Sequence, residues 1–228
     1  MDKIVLTYLD IKGFAEPIRL TLHIGKIPFE DRRVSYEEVA RMRSDEELPF
    51  GQVPVIEING GKNRSQSAAL LRWAGKKAGL YPLADLDAQL AVDEAMEAVG
   101  DIHKCLIPAW YRHACGRSPV SGGFFAATQL SNEQYDGVLT ALNSELLPVR
   151  FQQLEAMLVA SGGPYLCGEV LTVADLNLYV LVTGLQDGSF CEGISGLVVS
   201  QCPALLKLAQ LVASLPAVVE WESKHTNR

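Results

Sequence analysis

The sequence predicts an α+β chain in two parts: a small α/β domain with a mixed sheet over residues 1–82, and an all-α helical bundle domain over residues 83–228. Three observations predict it. Strand and helix signals alternate as βαβ and then ββα up to about residue 80. Tyr81-Pro82 and the acidic stretch 83–87 read as a linker. Beyond it strand signals are scarce and helical periodicity dominates. At 228 residues the chain is long enough for two cores. A content of 48% hydrophobic and 21% charged residues fits folded domains, with only the polar tail 224–228 expected to be disordered.

In the first part, residues 3–9 (KIVLTYL) read as a strand. Residues 15–25 read as an amphipathic helix with Pro17 in its first turn and Gly25 at its end. A second strand is expected at 30–34, and a charged, proline-containing loop at 36–49. The run VPVIEI then reads as a strand, followed by a turn at Asn59-Gly60-Gly61, a short strand at 62–64 and the helix AALLRWAGKKAG. Leu70, Leu71, Ala74 and Ala78 form one stripe of that helix, and Gly79 supplies its C′ residue. Parallel and antiparallel halves on one small sheet are the thioredoxin-like plan. In the second part helices are expected at 88–106, at 129–161 with a break at Pro148, at 173–185 and at 203–215. Thr172-Val173-Ala174-Asp175 is a capping-box pattern that starts a core helix. The glycine-rich pieces 116–123 and 184–196 read as surface loops.

Residues 50–73 (FGQVPVIEINGGKNRSQSAALLRW) carry the densest chemical information. Pro54 cannot donate a ladder hydrogen bond. Two readings stand: a trans proline at a strand start, or a cis Val53–Pro54 bond that turns the Val53 N–H and C=O outward to pair with a bound peptide. Ser65, Gln66 and Ser67 precede the helix, so Ser65 or Ser67 caps it, or the open amides and a serine hydroxyl receive a carboxylate. Together these features describe a receptor for a small acidic peptide.

Twenty basic against 27 acidic residues give a net charge of −7, which argues against sequence-independent binding to nucleic acid or to an anionic membrane. No apolar run approaches a membrane span, and MDKIVLTYLD is not a signal peptide, so a cytoplasmic location is expected. Five cysteines (105, 115, 167, 191 and 202) show neither CxxC nor metal spacing and read as buried or reduced thiols. The four histidines (23, 103, 113 and 225) lack HExxH spacing, and no metal is expected.

The segments YLDIKGFAEPIRL, FGQVPVIE, QSAALLRW and LTVADLNLY, in order and in register, resemble a glutathione S-transferase across nearly the whole chain, and the tyrosine near residue 8 resembles most the sigma class and its relatives. The resemblance implies a transferase with glutathione as cosubstrate, no permanently bound cofactor, a hydrophobic electrophile as second substrate, and a role in detoxification. It makes Tyr8 the catalytic residue, its hydroxyl donating to the glutathione sulfur. Chemistry explains that residue type: a thiol with pKa ~8.5 is only about 3% thiolate at pH 7, and lowering the pKa by ~2 units takes about 2.7 kcal/mol of differential stabilisation. One well-aimed phenol beside the positive end of a helix would supply much of it.

By the same resemblance Val53, before Pro54, pairs its backbone with the cysteinyl unit. Gln52 contacts the glycyl end, and Gln66 with Ser67 holds the γ-glutamyl carboxylate. Asp101 reaches the γ-glutamyl ammonium of a neighbouring subunit, which implies a homodimer. Three departures are visible. GFAE puts Phe14 where relatives carry an arginine beside the thiol. The usual tryptophan and lysine of the second loop fall on Val39 and Arg43, and that loop is about two residues longer. Arg43 either clamps a carboxylate in place of the lysine or is an exposed charge. The electrophile pocket is expected between the two parts, near Leu9, Phe14, Cys105, Pro108, Trp110 and Tyr111. Relatives that isomerise prostaglandins, act as peroxidases or are catalytically silent keep those alternatives open.

Overall fold

The structure, a computed structural model, describes residues 2–113 and 131–225. The side chains of Tyr111 and His113, together with Cys115, the loop expected at 116–123 and a helix start at 129, lie outside the described residues. The order is β1 (Ile4–Leu9), α1 (Glu16–Ile24), β2 (Glu30–Val34), α2 (Tyr36–Ser44), β3 (Val55–Ile58) and α3 (Ser67–Ala78). Then follow α4 (Leu86–His113), α5 (Asn132–Ala141), α6 (Leu147–Ala160), α7 (Val173–Gln186), α8 (Pro203–Ala213) and α9 (Pro216–His225). A thioredoxin-like half thus precedes a helical half.

β1 lies between its neighbours, parallel to β2 and antiparallel to β3. The strand expected at 62–64 is reduced to a single bridge: Arg64 and Ile56 exchange both backbone bonds at 2.8 Å, and the chain then enters α3. The loop expected at 36–49 is helical over Tyr36–Ser44, because Ser35 and Glu38 form a complete capping box. Val39 and Met42 of that helix join Val34, Leu48 and Val55 in a small separate core.

The main core is continuous through both halves. α4 presents Val92, Ala95, Met96, Val99, Ile102, Leu106 and Ala109 to it, the 3–4 spacing of one helical face. This helix runs seven residues past the expected end and carries Pro108 within it. α7 is buried on nearly every side and packs on α1, α4 and α8. Its start has the Thr172/Asp175 capping box, and the Val173 amide bonds the Leu80 carbonyl at 3.0 Å, which ties the linker to the helix. The break expected at Pro148 is a π-helical turn at Leu142–Leu146 that ends just before it. The segment 184–196 is not simply a surface loop, since Gly184 lies in α7 and Cys191 and Ile194 are buried. The tail is helical through His225, because Val218 and Trp221 are buried against the rest of the fold. Cys105, Cys167, Cys191 and Cys202 are unpaired thiols. Among the described residues no single helix is long and apolar enough to cross a membrane.

Candidate active site

Register brings three chain segments to one end of the sheet. The β1/β3 ladder ends at Thr7↔Val55, so Tyr8 and Pro54 are the next residues along the two strands. The Ile56↔Arg64 bridge continues the same geometry, placing Ser65 and Gln66 at the level of Val55 and Pro54. Tyr8, the Gln52–Pro54 segment and the start of α3 therefore converge where β1 ends.

Tyr8 is only 5% exposed. After Leu9 the chain loops back through a 3₁₀ turn, Gly13–Ala15, that leads straight into α1. The Phe14 amide donates to Tyr8 Oη at 3.3 Å. The phenol oxygen thus accepts from the amide-rich opening of a helix, which strengthens its own O–H as a donor. Gly13 has φ +44°, and a Cβ there would stand 2.6 Å from Tyr8 Oη, so the close approach requires glycine.

Val53 and Gln52 are half-buried beside buried Pro54, and the Val53–Pro54 peptide is cis. Arg43 is half-buried and donates from Nε to the Gly51 carbonyl at 2.8 Å, clasping α2 to the segment before Val53. At α3 the cap differs from the sequence expectation. Neither serine caps the helix: Gln66 occupies the cap position at φ 74°, ψ 98° with no side-chain cap bond, and Ser67 is the first helical residue. Ser65 Oγ is buried and, among the described residues, has no hydrogen-bond partner. Gln66 is held in a backbone conformation that residues with a side chain rarely adopt, and the first amides of α3 are left without a side-chain cap, an arrangement that suits an incoming carboxylate. Asp101 lies apart from this cluster in chemistry: it is about half exposed on α4 and ion-paired with Lys104 at 2.8 Å, which holds its carboxyl below the usual range.

Gln66 supplies a test of strain against function. Gln66→Gly is expected to unfold at a higher temperature than Gln66→Ala, since glycine relieves the positive φ at a gain of about 1 kcal/mol. If Gln66 holds a carboxylate of glutathione, as the resemblance implies, both variants should weaken glutathione binding about tenfold through the loss of one charge-assisted hydrogen bond. Thermal denaturation and glutathione titration of the two variants check this.

Phe14 faces the helical half. Its ring meets those of His103 (5.0 Å between centres), Trp110 (5.4 Å) and Phe190 (6.4 Å), all edge-on. Trp110 Nε1 donates to the Phe190 carbonyl at 2.8 Å, fixing the loop after α7 to α4. Sequence reasoning placed Leu9, Phe14, Cys105 and Trp110 together; Phe14 and Trp110 meet at this wall, Leu9 and Cys105 are partly buried against the core, and Pro108 is exposed. It missed His103 and Phe190. His103 stands seven residues before Trp110, two helical turns along the same face, which was the available signal. Phe190 gave none, because its place is set by a contact 80 residues away.

Burial among these rings pulls the His103 pKa down to about 4. In the unfolded chain it titrates near 6.5, so as pH falls from about 6.5 towards 4 the unfolded state takes up a proton that the folded state does not. The stability contributed above pH 6.5 is therefore lost across that window. Urea unfolding at pH 7 and pH 4.5 should show His103→Phe losing less stability than the parent, by about 1–3 kcal/mol given that the residue retains some solvent contact.

With this geometry in view, three comparisons converge. The family model for the Glutathione S-transferase, C-terminal domain matches residues 122–225. Glutathione S-transferase A3 of Mus musculus is 29% identical over 217 residues, covering 95% of this chain and 86% of that protein. The chain is similar to glutathione S-transferases along nearly its whole length. Among solved structures, the glutathione S-transferase of Ascaris lumbricoides superposes with a TM-score of 0.75 at 26% identity, covering 98% of this chain and 97% of that one. Prostaglandin synthase D of Nilaparvata lugens superposes at 0.79 with 25% identity, covering 97% and 98%. Phe14 serves twice, its amide bonding Tyr8 Oη while its ring builds the aromatic wall.

Proposed function

We propose that this transferase conjugates reduced glutathione to electrophilic small molecules, with residues 1–82 forming the glutathione half of the site and residues 83–228 the electrophile half. The observation that carries the proposal is the convergence, at one end of the sheet, of a buried phenol already accepting an amide hydrogen bond and a helix start left without a side-chain cap. Tyr8 donates to the sulfur and stabilises the thiolate. The thiolate attacks the electrophilic carbon, a C–S bond forms, and the leaving group departs with its bonding pair. The thiol proton goes to solvent in the earlier ionisation.

The Val53 backbone pairs with the cysteinyl unit, and Gln52 contacts the glycyl end. Arg43 steadies that segment through Gly51, with its remaining N–H groups towards the glycyl carboxylate. Gln66, Ser67 and the first amides of α3 hold the γ-glutamyl carboxylate. Asp101 acts across a homodimer on the partner's γ-glutamyl ammonium. A sigma-like class, a cytoplasmic location and a detoxifying role are part of the same reading.

The fold likeness to a prostaglandin synthase favours one second reading, a glutathione-dependent isomerase that uses the same thiolate without releasing a conjugate. Incubation with glutathione and a chloronitrobenzene-type electrophile tests the proposal. The expected result is a thioether product that forms faster than in enzyme-free buffer. Retention on immobilised glutathione with no turnover against an electrophile panel would instead make the chain a non-catalytic binder.

A further inference from the structure

Arg19 has no role in the site described above, yet it is the bulkiest of the fully buried side chains, at 0% exposure. A guanidinium in that position costs several kcal/mol unless every N–H is partnered. Two carboxylates answer its charge: Glu16 Oε2 at 3.1 Å and Asp31 Oδ1 at 2.9 Å. Nη1, which meets Glu16, also donates to the main-chain carbonyls of Ile11 at 2.8 Å and Lys12 at 3.4 Å, and Nη2 donates to that of Leu9 at 3.4 Å. Those three carbonyls lie at the end of β1 (Leu9) and in the loop that follows it (Ile11 and Lys12), which delivers Gly13 and Phe14 against the phenol.

The second oxygen of Glu16 is also engaged. Trp221 of α9 donates to it from Nε1 at 2.7 Å in a buried setting. The Trp221 ring is stacked by His225 at 4.1 Å and flanked by His23 and Phe29, and Tyr179 Oη donates to Glu222 at 2.6 Å, so α9 is fixed to both α1 and α7. A continuous path of hydrogen bonds therefore runs from the C-terminal helix through Glu16 and Arg19 to the loop carbonyls, and that loop carries the Phe14 amide held on Tyr8 Oη.

The charge of Arg19 does not explain the arrangement. Its Cζ lies 5.8 Å from the centre of the Tyr8 ring, but Glu16 and Asp31 stand against it, and Arg33 bridges Asp31 to Asp10. Two cations among three carboxylates offer no net attraction to a thiolate. A well-packed apolar residue would also serve stability as well as a buried ion pair. What an apolar residue lacks is the planar fork that fixes these three carbonyls.

We infer that Arg19, Glu16 and Trp221 are positioning residues that hold the loop from Leu9 to Phe14 so that the Phe14 amide stays on the Tyr8 phenol, and that through them the C-terminal helix sets how strongly Tyr8 stabilises the thiolate. The inference rests on the proposed role of Tyr8. It is read from the pH dependence of kcat/KM for a chloronitrobenzene-type electrophile at saturating glutathione, in the full chain and in Tyr8→Phe, Arg19→Lys and Trp221→Phe. The apparent pKa does not depend on how much of a preparation is folded, so a merely destabilising substitution leaves it in place. Arg19→Lys keeps the charge and loses the fork; its apparent pKa should rise by about one unit, a tenfold loss of rate at low pH. Trp221→Phe keeps the ring and loses one N–H; a rise of about half a unit, threefold in rate, is expected even if Arg19→Lys does not fold. Unchanged apparent pKa values in both, or in Trp221→Phe alone if the lysine variant does not fold, beside a raised value in Tyr8→Phe overturn the inference and leave Tyr8 in its role. An unchanged value in Tyr8→Phe itself overturns both.

Discussion

Replacing Tyr8 by phenylalanine should reduce kcat/KM for conjugation at saturating glutathione about 100-fold at pH 6 and hardly at all at pH 9.5, with glutathione affinity at pH 6 within about twofold of the parent. The substitution removes one oxygen from a side chain that is 5% exposed, and the ring stays packed in the main core. What is lost, on the proposed role of Tyr8, is the hydrogen bond to the sulfur. If that bond and its surroundings lower the thiol pKa by ~2 units, the variant's thiol returns towards ~8.5, and the thiolate fraction well below that pKa falls about 100-fold. Above pH 9 the thiol ionises without help and the two proteins converge. A defect of equal size at every pH would mean that Tyr8 acts on a later step or on folding. Rate profiles between pH 6 and pH 9.5 separate these outcomes.

Gly13→Ala should come second in effect, although alanine adds a single methyl. A Cβ at this position lies 2.6 Å from Tyr8 Oη, 3.0 Å from Cε1 and 3.2 Å from Cζ, and the backbone sits at φ +44°. The left-handed conformation costs an alanine about 1 kcal/mol, and the contact forces either the phenol or the loop to move. Either movement breaks the 3.3 Å bond from the Phe14 amide to Tyr8 Oη. A misdirected donor costing about 1.4–2 kcal/mol corresponds to a 10- to 30-fold loss of conjugation. Glutathione affinity should change little, because the residues proposed to hold the ligand, Gln52, Val53, Gln66 and Ser67, lie on other segments. Stopped-flow conjugation assays together with calorimetric glutathione binding check the split between rate and affinity.

The strands and the central helix were legible because local pattern and tertiary burial agree there. β2 occupies the predicted residues, and α7 begins at the predicted Thr172/Asp175 box. α2 was missed although Ser35 and Glu38 spell out its cap, because only Val39 and Met42 are buried and the charges around them read as loop. α9 was missed for a similar reason: its composition is that of a polar tail, and Val218 and Trp221 gain their meaning from contacts with α1 and α8. At the site, the tyrosine and the 50–73 segment stand out in the sequence, but the groups that hold them do not. Glu16 and Trp221 are 205 residues apart, and neither periodicity nor spacing links them. The cap of α3 was misassigned because serine is the usual residue there, whereas the strained Gln66 backbone leaves both neighbouring serines out of that role.

The most direct test of the account is a titration of thiolate absorbance with glutathione bound to the protein. The account predicts a sulfur pKa below about 7.5, against ~8.5 for the free thiol, and a return towards the free value in Tyr8→Phe. A bound sulfur that titrates at the free value would contradict it.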